Sequence, residues 1–200
     1  MTMSPRTVFS VTSSPIGRLL FVARGDALAG LYMEDHVGAP LHDAGWIQDE
    51  SRFTNERVQL AEYFAGTRTS FDLPLGLVGT PFQRRVWSAL LAIPFGETIT
   101  YGELARRIGA SKSARAVGHS NARNPISIIV PCHRVIGANG ALTGYAGGEE
   151  RKRWLLAWER SVASRSSDSR YFPEIPLTGP GPIGKRGGGG GDVSTNMNVL

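Results

Sequence analysis

The chain carries one cysteine, Cys132, and the two residues that follow it are His133 and Arg134. The thiolate is the reactive form of cysteine, and a neighbouring imidazole or guanidinium favours that charged form. Taken alone, a free cysteine is more often a structural residue, since cysteine is among the most buried residue types. Cys132 is therefore either an inert core residue or a nucleophile, and the function of the protein depends on which it is.

A general base for Cys132 is not obvious from the order of the residues. His133 is adjacent, but consecutive side chains of an extended segment point to opposite faces. A proton could pass from Cys132 to His133 only across a sharp turn or through a bridging water. A distant carboxylate would then have to orient the imidazole. Glu159 on the last predicted helix is one candidate, and a surface role for it is equally compatible with the sequence.

Three further features could belong to a site. Arg115, near the start of a predicted helix, suits either a routine phosphate contact or insertion into a duplex. Asn124-Pro125 is a turn signal, which favours a structural role for Asn124. The run Gly144-Tyr145-Ala146-Gly147-Gly148 lets backbone approach a ligand closely, and Tyr145 could stack on that ligand. The run lacks phosphate-loop spacing, so alone it is weak evidence for a site.

The first part of the chain has the pattern of strands followed by a helix. Helical spacing predicts an amphipathic helix over residues 49–64, which Ala65-Gly66-Thr67 ends. The Gly, Leu and Pro content of residues 66–79 predicts an exposed linker. No candidate catalytic residue is apparent here. A small antiparallel meander is predicted by three apolar or alternating runs separated by turns, at residues 7–11, 18–23 and 27–33.

The second part is mainly helical in pattern. Thr80-Pro81 is typical of a helix N-cap and first turn. Two short helices follow, over 101–109 and from a cap at Ser113 to Asn121. Their tight connection is typical of the helix-turn-helix used on DNA. The apolar run 128–130 has the pattern of a strand, and a final helix is predicted from Glu149 onward.

Charge is distributed unevenly along the chain. Residues 80–161 carry 12 Lys and Arg against 5 Asp and Glu, a net of +7, whereas residues 1–79 carry 6 against 9, a net of −3. A basic half beside an acidic half suggests that one domain faces a polyanion. A basic face that is simply solvated is an equally good interpretation of charge alone.

Composition narrows the class of protein. No apolar run approaches the ~20 residues that cross a bilayer, and no signal peptide is apparent, so we expect no membrane association. One cysteine cannot form an internal disulfide or a zinc site built on several thiolates. The sequence therefore predicts a protein of the reducing cytoplasm.

The motifs are specific when they are taken together. Residues 80–160 closely resemble the O6-alkylguanine-DNA alkyltransferase family, also called methylated-DNA–protein-cysteine methyltransferases. The first segment resembles the N-terminal domain of that family only loosely. The matching segments agree in order and spacing and are Thr100-Tyr101-Gly102-Glu103-Leu104-Ala105, Ala114-Arg115-Ala116-Val117-Gly118, Asn124-Pro125, Ile129-Val130-Pro131-Cys132-His133-Arg134-Val135-Ile136, Gly144-Tyr145-Ala146-Gly147-Gly148 and Trp154-Leu155-Leu156-Ala157-Trp158-Glu159.

The resemblance implies an α+β fold. A small N-terminal domain of antiparallel sheet plus helix, ribonuclease-like in type, would precede a mainly helical C-terminal domain with a winged helix-turn-helix. We expect the structural domain over residues 1–75 and the catalytic DNA-binding domain over 80–161. The composition of residues 162–200 predicts a disordered Ser/Pro/Gly-rich tail. No cofactor and no metal is expected, because the zinc that some relatives bind needs N-terminal cysteines.

The resemblance also implies a reaction. The family flips an O6-alkylguanine, with O4-alkylthymine as a further expected substrate, out of double-stranded DNA and moves the alkyl group irreversibly to a cysteine, here Cys132. His133 would act as base through a water, and Glu159 would hold its imidazole. Tyr101 would help rotate the nucleotide and protonate the departing guanine. Arg115 would fill the vacated stack. Each molecule would react once, because no second thiol could displace the alkyl group.

The remaining roles concern the site walls and the DNA. Asn124 would brace the turn beneath the site. Where some relatives have serine this chain has Ala146, so backbone N–H groups of the loop must supply that contact to the guanine oxygen. The protein would dock in the minor groove as a monomer that could cluster along DNA. The implied DNA-binding residues besides Arg115 are Lys112, Ser113, Ala116 and Arg123. The implied pocket residues are Val130, Pro131, Tyr145, Ala146 and Gly147.

Three rival functions remain at this stage. A non-enzymatic relative that binds alkylated DNA without repairing it replaces the acceptor cysteine, whereas Cys132 is present. A plain helix-turn-helix regulator needs neither the Cys-His run nor the Gly-rich loop. A cysteine hydrolase turns over repeatedly and needs neither Arg115 nor a basic face.

Overall fold

A computed structural model describes residues 6–40, 45–142 and 144–167 and has the predicted α+β architecture. The predicted meander is confirmed, and it consists of the antiparallel strands β1 (Thr7–Ser14), β2 (Gly17–Arg24) and β3 (Ala27–Met33). A two-residue strand that the sequence pattern did not indicate, β4 (Ile47–Gln48), pairs parallel with β1. The strand order is β3-β2-β1-β4, so β3 lies at one edge of the sheet.

The edge of β3 joins the N-terminal sheet to the rest of the chain. The backbone N–H of Leu28 donates to Pro74 O at 2.8 Å, and the N–H of Leu31 donates to Pro125 O at 2.9 Å. The prediction of an exposed linker over residues 66–79 is wrong. The bond from Leu28 to Pro74 O and a second bond, from the N–H of Gly76 to Leu28 O at 2.8 Å, hold this segment on the edge strand, and its apolar side chains need burial. Those packed against the core are Phe71, Leu73, Leu75 and Leu77.

The helix of the N-terminal domain begins later than its periodicity predicts. A 3₁₀ turn (Ser51–Phe53) precedes α1 (Thr54–Ala65). The carboxylate of Asp49 accepts hydrogen bonds from the backbone N–H and the hydroxyl of Ser51, a local turn that competes with helix. Gly66 ends α1 at a φ of +77°, as predicted, because glycine adopts this left-handed conformation without strain.

The expected helix-turn-helix is present in the C-terminal domain. A capping box between Thr80 and Gln83 starts α2 (Pro81–Leu91). After β5 (Ile99–Thr100), the motif itself is formed by α3 (Tyr101–Arg107) and α4 (Ala114–Ala122). Ser113 occupies the N-cap position of α4, as predicted, but its side chain makes no capping hydrogen bond.

The segment that leads to the cysteine is not the predicted strand. Residues 128–130 form successive turns, and Cys132–Arg134 form a 3₁₀ helix. The next strand, β6 (Val135–Ile136), pairs parallel with β5. No strand follows β6 in the described part of residues 137–148, so the expected wing is a loop there.

The last helix extends past the predicted end of the domain. It is α5 (Glu149–Ser167). The predicted start of the disordered tail at residue 162 is therefore too early, because residues 162–167 are helical. Val162 is buried in the core, which explains why the helix continues. The rest of the predicted tail lies outside the described residues. No helix in the described ranges is long and apolar enough to cross a membrane.

Candidate active site

Cys132 begins the 3₁₀ helix and is 3% exposed. Successive side chains in a 3₁₀ helix are separated by about 120°, not by the 180° of a strand. The expectation that Cys132 and His133 point to opposite faces is therefore wrong, since it assumed an extended segment. The local backbone therefore turns sharply between Cys132 and His133.

Asn124 holds the turn beneath the cysteine. Its side-chain N–H₂ donates to Val130 O at 2.7 Å and lies 3.0 Å from Cys132 Sγ, while its Oδ1 accepts from the backbone N–H of Ile126 at 3.0 Å. The enclosed loop contains Ile128 at a φ of +71°, a conformation that strains a β-branched residue. Backbone strain of this kind persists only where surrounding contacts enforce it, and Asn124 provides several of them.

His133 is fully buried, and its Nε2 lies 2.8 Å from Glu159 Oε1. An ionised carboxylate only accepts hydrogen bonds, so Nε2 carries the hydrogen. In a neutral imidazole Nδ1 must then be the acceptor. Nδ1 is buried and has no hydrogen-bond partner among the described protein atoms. The arrangement leaves one basic lone pair inside the site, on the residue next to the thiol.

The Glu159 carboxylate is the centre of a buried network. Its Oε1 accepts from His133, from Arg134 Nη2 at 2.9 Å and from the Tyr63 hydroxyl at 2.8 Å. Its Oε2 accepts from Arg134 Nε at 2.9 Å and from the backbone N–H of Gly96 at 3.0 Å. Arg134 also donates to Ile93 O at 2.6 Å. Donors from three parts of the chain therefore fix the carboxylate: α1, the loop before β5, and the 3₁₀ helix that carries His133 and Arg134.

Gly96 can donate this bond only because it lacks a side chain. Its φ is +79°, and an added Cβ would lie 2.9 Å from Ala163 Cβ and 3.4 Å from Glu159 O. The loop between α2 and β5 thus passes directly against α5.

Protonation in the site follows from burial and from this network. Burial lowers the pKa of His133 below its ordinary 6.5, although Glu159 acts in the opposite direction. Burial raises the pKa of Cys132 above its ordinary 9.0, against the Asn124 hydrogen bond and the Lys152 charge. Burial alone would raise the pKa of Glu159, but the bonds and charges of His133 and Arg134 hold it well below 4.5. At neutral pH the site contains a thiol, a neutral imidazole and a carboxylate.

Tyr101 and Lys152 form the wall beside the cysteine. Lys152 Nζ donates to Val135 O at 2.6 Å and lies 5.9 Å from the centre of the Tyr101 ring and 5.8 Å from that of Tyr145. Burial lowers the pKa of Lys152 to about 8. Burial and the nearby Cys132 raise the pKa of Tyr101, so its hydroxyl keeps its proton at neutral pH.

Replacing Lys152 by Met should slow the reaction of Cys132 with iodoacetamide by a few-fold to about tenfold at pH 7, because loss of the cation raises the Cys132 pKa further. The difference should shrink above pH 8, where Lys152 loses its proton in the unaltered protein. Mass spectrometry of the alkylated peptide measures the rate. Arg153→Met, which removes an exposed cation from the same helix, is the control. A difference that persists unchanged at pH 9.5 would contradict this role for Lys152.

The Gly-rich loop lies between the cysteine side and the N-terminal sheet. Tyr145 is buried, and its hydroxyl lies 3.7 Å from Met33 Sδ. The carbonyl of Ala146 accepts from the Val37 N–H at 3.1 Å. A Cβ on Gly147 would collide with Met33 Sδ and would lie 2.9 Å from the Tyr145 ring. Glycine is therefore required where the loop passes β3.

Most of the predicted pocket residues lie near Cys132, but the predicted DNA-binding residues do not all lie together. Val130 and Pro131 are buried directly before Cys132, and the Val130 carbonyl already accepts from Asn124. Arg115 and Ala116 are exposed in the first turn of α4, with Lys112 exposed and Ser113 half-buried just before it. Arg123 caps the other end of α4, about 12 Å along the helix axis from Arg115. It lines a cavity with Tyr32 and His36, so the geometry does not group it with the others.

Two residues of the site were not found from the sequence, and a third has a different role from the expected one. Tyr63 lies in the part of the chain where no candidate was apparent, and Lys152 resembles an ordinary surface cation by type. Arg134 was expected to favour the Cys132 thiolate, whereas its guanidinium bonds Glu159. Buried Lys and Arg are rare unless paired, but sequence alone does not show that they are buried. Helical spacing places Lys152 seven residues before Glu159, on the same face of α5, which is the one available signal.

The fold and the site define a class: a two-domain protein that combines a helix-turn-helix with one buried thiol beside an oriented imidazole. Residues 7–77 match the ribonuclease-like domain of 6-O-methylguanine DNA methyltransferases, and residues 81–161 match the DNA binding domain of the same proteins. The chain belongs to this family of DNA-repair methyltransferases. The resemblance deduced from its motifs is confirmed.

Individual relatives agree with this assignment. The chain is 52% identical over 152 residues to the methylated-DNA–protein-cysteine methyltransferase of Mycolicibacterium paratuberculosis, which covers 76% of this chain and 92% of the relative. It is 49% identical over 154 residues to that of Methanosarcina acetivorans, covering 76% and 98%. The structure is similar to the crystal structure of Mycobacterium tuberculosis OGT in complex with DNA, with a TM-score of 0.73, 51% identity and coverage of 78% and 94%.

Proposed function

We propose that this protein removes the alkyl group from O6-alkylguanine in double-stranded DNA by transferring it to Cys132. The O6–alkyl bond breaks as the bond from Sγ to the alkyl carbon forms. The thiol proton passes through a water to His133 Nδ1, and the departing guanine receives a proton from Tyr101. The observation that carries the proposal concerns His133, the residue after the thiol. Its buried Nδ1 has no hydrogen-bond partner in the described part of the chain, and its Nε2 is bonded to Glu159.

The protonation states support this order of events. Because burial raises the pKa of Cys132, the thiolate is not present in quantity before the substrate binds. Deprotonation must then accompany transfer, and a neutral His133 is able to accept the proton. Glu159 stabilises the imidazolium that forms, since it stays ionised at all pH values at which the protein would act. His133 would therefore remove the thiol proton only when the alkyl group is in position for transfer.

Departure of the guanine needs neutralisation of the charge that develops on the base. Tyr101 is half-buried at the first residue of α3, and its raised pKa keeps the phenol protonated at neutral pH. A positioned acid of this kind improves the leaving group. Asn121, which bonds Tyr101, also donates to Cys132 O at 3.2 Å and links the acid to the nucleophile.

Binding to DNA is assigned to the exposed start of α4. Arg115 and Lys112 are exposed there, and Arg115 would occupy the gap left by the flipped base. We propose docking in the minor groove with few base-specific contacts, which suits a search for damage in any sequence. The net +7 of residues 80–161 would supply the salt-sensitive part of the affinity. We further propose a monomer in the reducing cytoplasm, able to cluster along DNA and to act on O4-alkylthymine.

A titration of excess O6-methylguanine duplex against a fixed amount of protein tests the reaction. Digestion of the DNA and chromatography of its nucleosides should show guanine restored in an amount equal to the protein, with no further gain over time. Cys132→Ser should restore none. Restoration that continues past equivalence would indicate a hydrolase, and an unchanged lesion in bound DNA would indicate a binding protein; either result contradicts the proposal.

A further inference from the structure

The N-terminal domain places one polar atom in the catalytic network. Tyr63, near the end of α1, is fully buried, and its hydroxyl lies 2.8 Å from Glu159 Oε1. Its ring is already fixed by packing against Phe64, Phe71 and Phe95. The backbone carbonyl of the same residue accepts from Trp158 Nε1 at 3.2 Å, directly before Glu159 in α5. The hydroxyl is therefore held at Glu159 independently of the hydrogen bond it makes.

Several donors bond the same oxygen of Glu159, Oε1, and this affects the strength of each hydrogen bond. Oε1 accepts from Tyr63, Arg134 and His133, whereas Oε2 accepts from Arg134 and the Gly96 N–H. An oxygen with three donors offers less charge to each of them than an oxygen with two. The bond to His133 is the one that a proton relay depends on, so the other donors to Oε1 weaken its hold on the imidazolium.

We infer that Tyr63 is a positioning residue of the relay, whose hydroxyl limits the share of Glu159 Oε1 available to His133 and so sets the proton affinity of that imidazole. The inference rests on the proposed function, because it takes His133 as the base. It gives the ribonuclease-like domain a direct part in the reaction. Without the hydroxyl, Glu159 stays in place, since both Arg134 bonds and the Gly96 bond remain.

Other charged groups around the pair do not account for the same effect. Arg134 lies in the same turn, Lys152 faces the pair from α5, and Tyr145 faces it from the loop before α5. Lys152 has a pKa of about 8 and keeps its charge through the acid range in which His133 titrates. Burial and the Glu159 charge raise the pKa of Tyr63 well above 10, so its hydroxyl donates throughout.

Tyr63→Phe tests the inference because it removes only the hydroxyl. The proton on His133 Nε2 should move downfield in the NMR spectrum, since a stronger bond to the carboxylate deshields it. The acid limb of the rate of methyl transfer from a saturating O6-methylguanine duplex should shift to higher pH by about half a unit to one unit. Because each molecule reacts once, the amplitude counts folded protein and the rate constant does not depend on it.

Tyr32→Phe is the matched control: it removes a phenol of the same domain that lies on β3 and is not among the hydrogen-bond donors to Glu159 given above. It should leave both readouts where they are in the unaltered protein. A Tyr63→Phe protein whose Nε2 proton and acid limb both stay unmoved would overturn the inference. The NMR readout needs no DNA, so a failure of the proposed methyl transfer in the unaltered protein is a separate result.

Discussion

Replacing Glu159 by Gln should slow methyl transfer by about a hundredfold or more and should destabilise the fold by about 3–5 kcal/mol. The rate falls because a neutral amide cannot stabilise the imidazolium of His133, and general base catalysis contributes about 10²–10⁴ in rate. Stability falls because Arg134 keeps its buried charge and loses its partner. Single-turnover kinetics measure the rate, and urea unfolding measures the stability.

Glu150→Gln is the control for this variant, since it removes an exposed carboxylate from the first turn of the same helix. It should change neither quantity appreciably. The two effects of Glu159→Gln separate in one experiment, because the reaction amplitude reports the folded fraction. A folded Glu159→Gln protein that transfers methyl within threefold of the normal rate would show that His133 does not act through this carboxylate.

Arg115→Ala should slow repair of O6-methylguanine in a duplex by about tenfold to a hundredfold and should leave reaction with the free alkylated base nearly unchanged. Arg115 is exposed in the first turn of α4 and touches no part of the cysteine network in the described structure. Arg115 is expected to fill the gap that the flipped base leaves in the base stack of the duplex. Unstacking and unpairing that base costs a few kcal/mol, which the guanidinium would partly offset.

Arg115→Lys separates charge from shape. Lysine keeps the positive charge near the phosphates but lacks the flat guanidinium that can stack between bases. We expect it to restore binding of undamaged duplex at low salt, measured by fluorescence anisotropy, and to leave repair slow. If Arg115→Ala slowed the reaction with duplex and with free base by the same factor, Arg115 would have no stacking role, because only the duplex has a gap to fill.

The parts of the fold that the sequence predicted are those with strong local signals. Glycine turns and apolar runs located β1 to β3, and helical spacing with caps located α2, α3 and α4. The missed strand β4 has two residues and depends on parallel pairing with β1, which leaves no local pattern. The prediction of a strand over 128–130 is wrong because this run pairs with no neighbouring strand. The N–H groups of Ile129 and Val130 bond carbonyls two and four residues back, and the Asn124 side chain bonds Val130 O.

The residues of the site likewise fall into those that a local motif identifies and those that only the three-dimensional structure shows. The Cys-His run, Asn124 and the Gly-rich loop are contiguous motifs, so a family resemblance could identify them. Tyr63 meets Glu159 across 96 positions of sequence, and no periodicity connects the two residues. The protonation state of the thiol could not be predicted from the sequence either. Arg134, two residues after Cys132, suggests a stabilised thiolate, but its guanidinium bonds Glu159 and Ile93 O, and burial raises the pKa of Cys132.

The most direct test of the central claim is the mass of the peptide that contains Cys132 after the protein has repaired O6-methylguanine DNA. If Cys132 is the acceptor, this peptide gains one methyl group in every reacted molecule, no other peptide gains one, and Cys132→Ala protein remains unmodified. DNA that loses its methyl group while the Cys132 peptide keeps its original mass would show that Cys132 is not the acceptor.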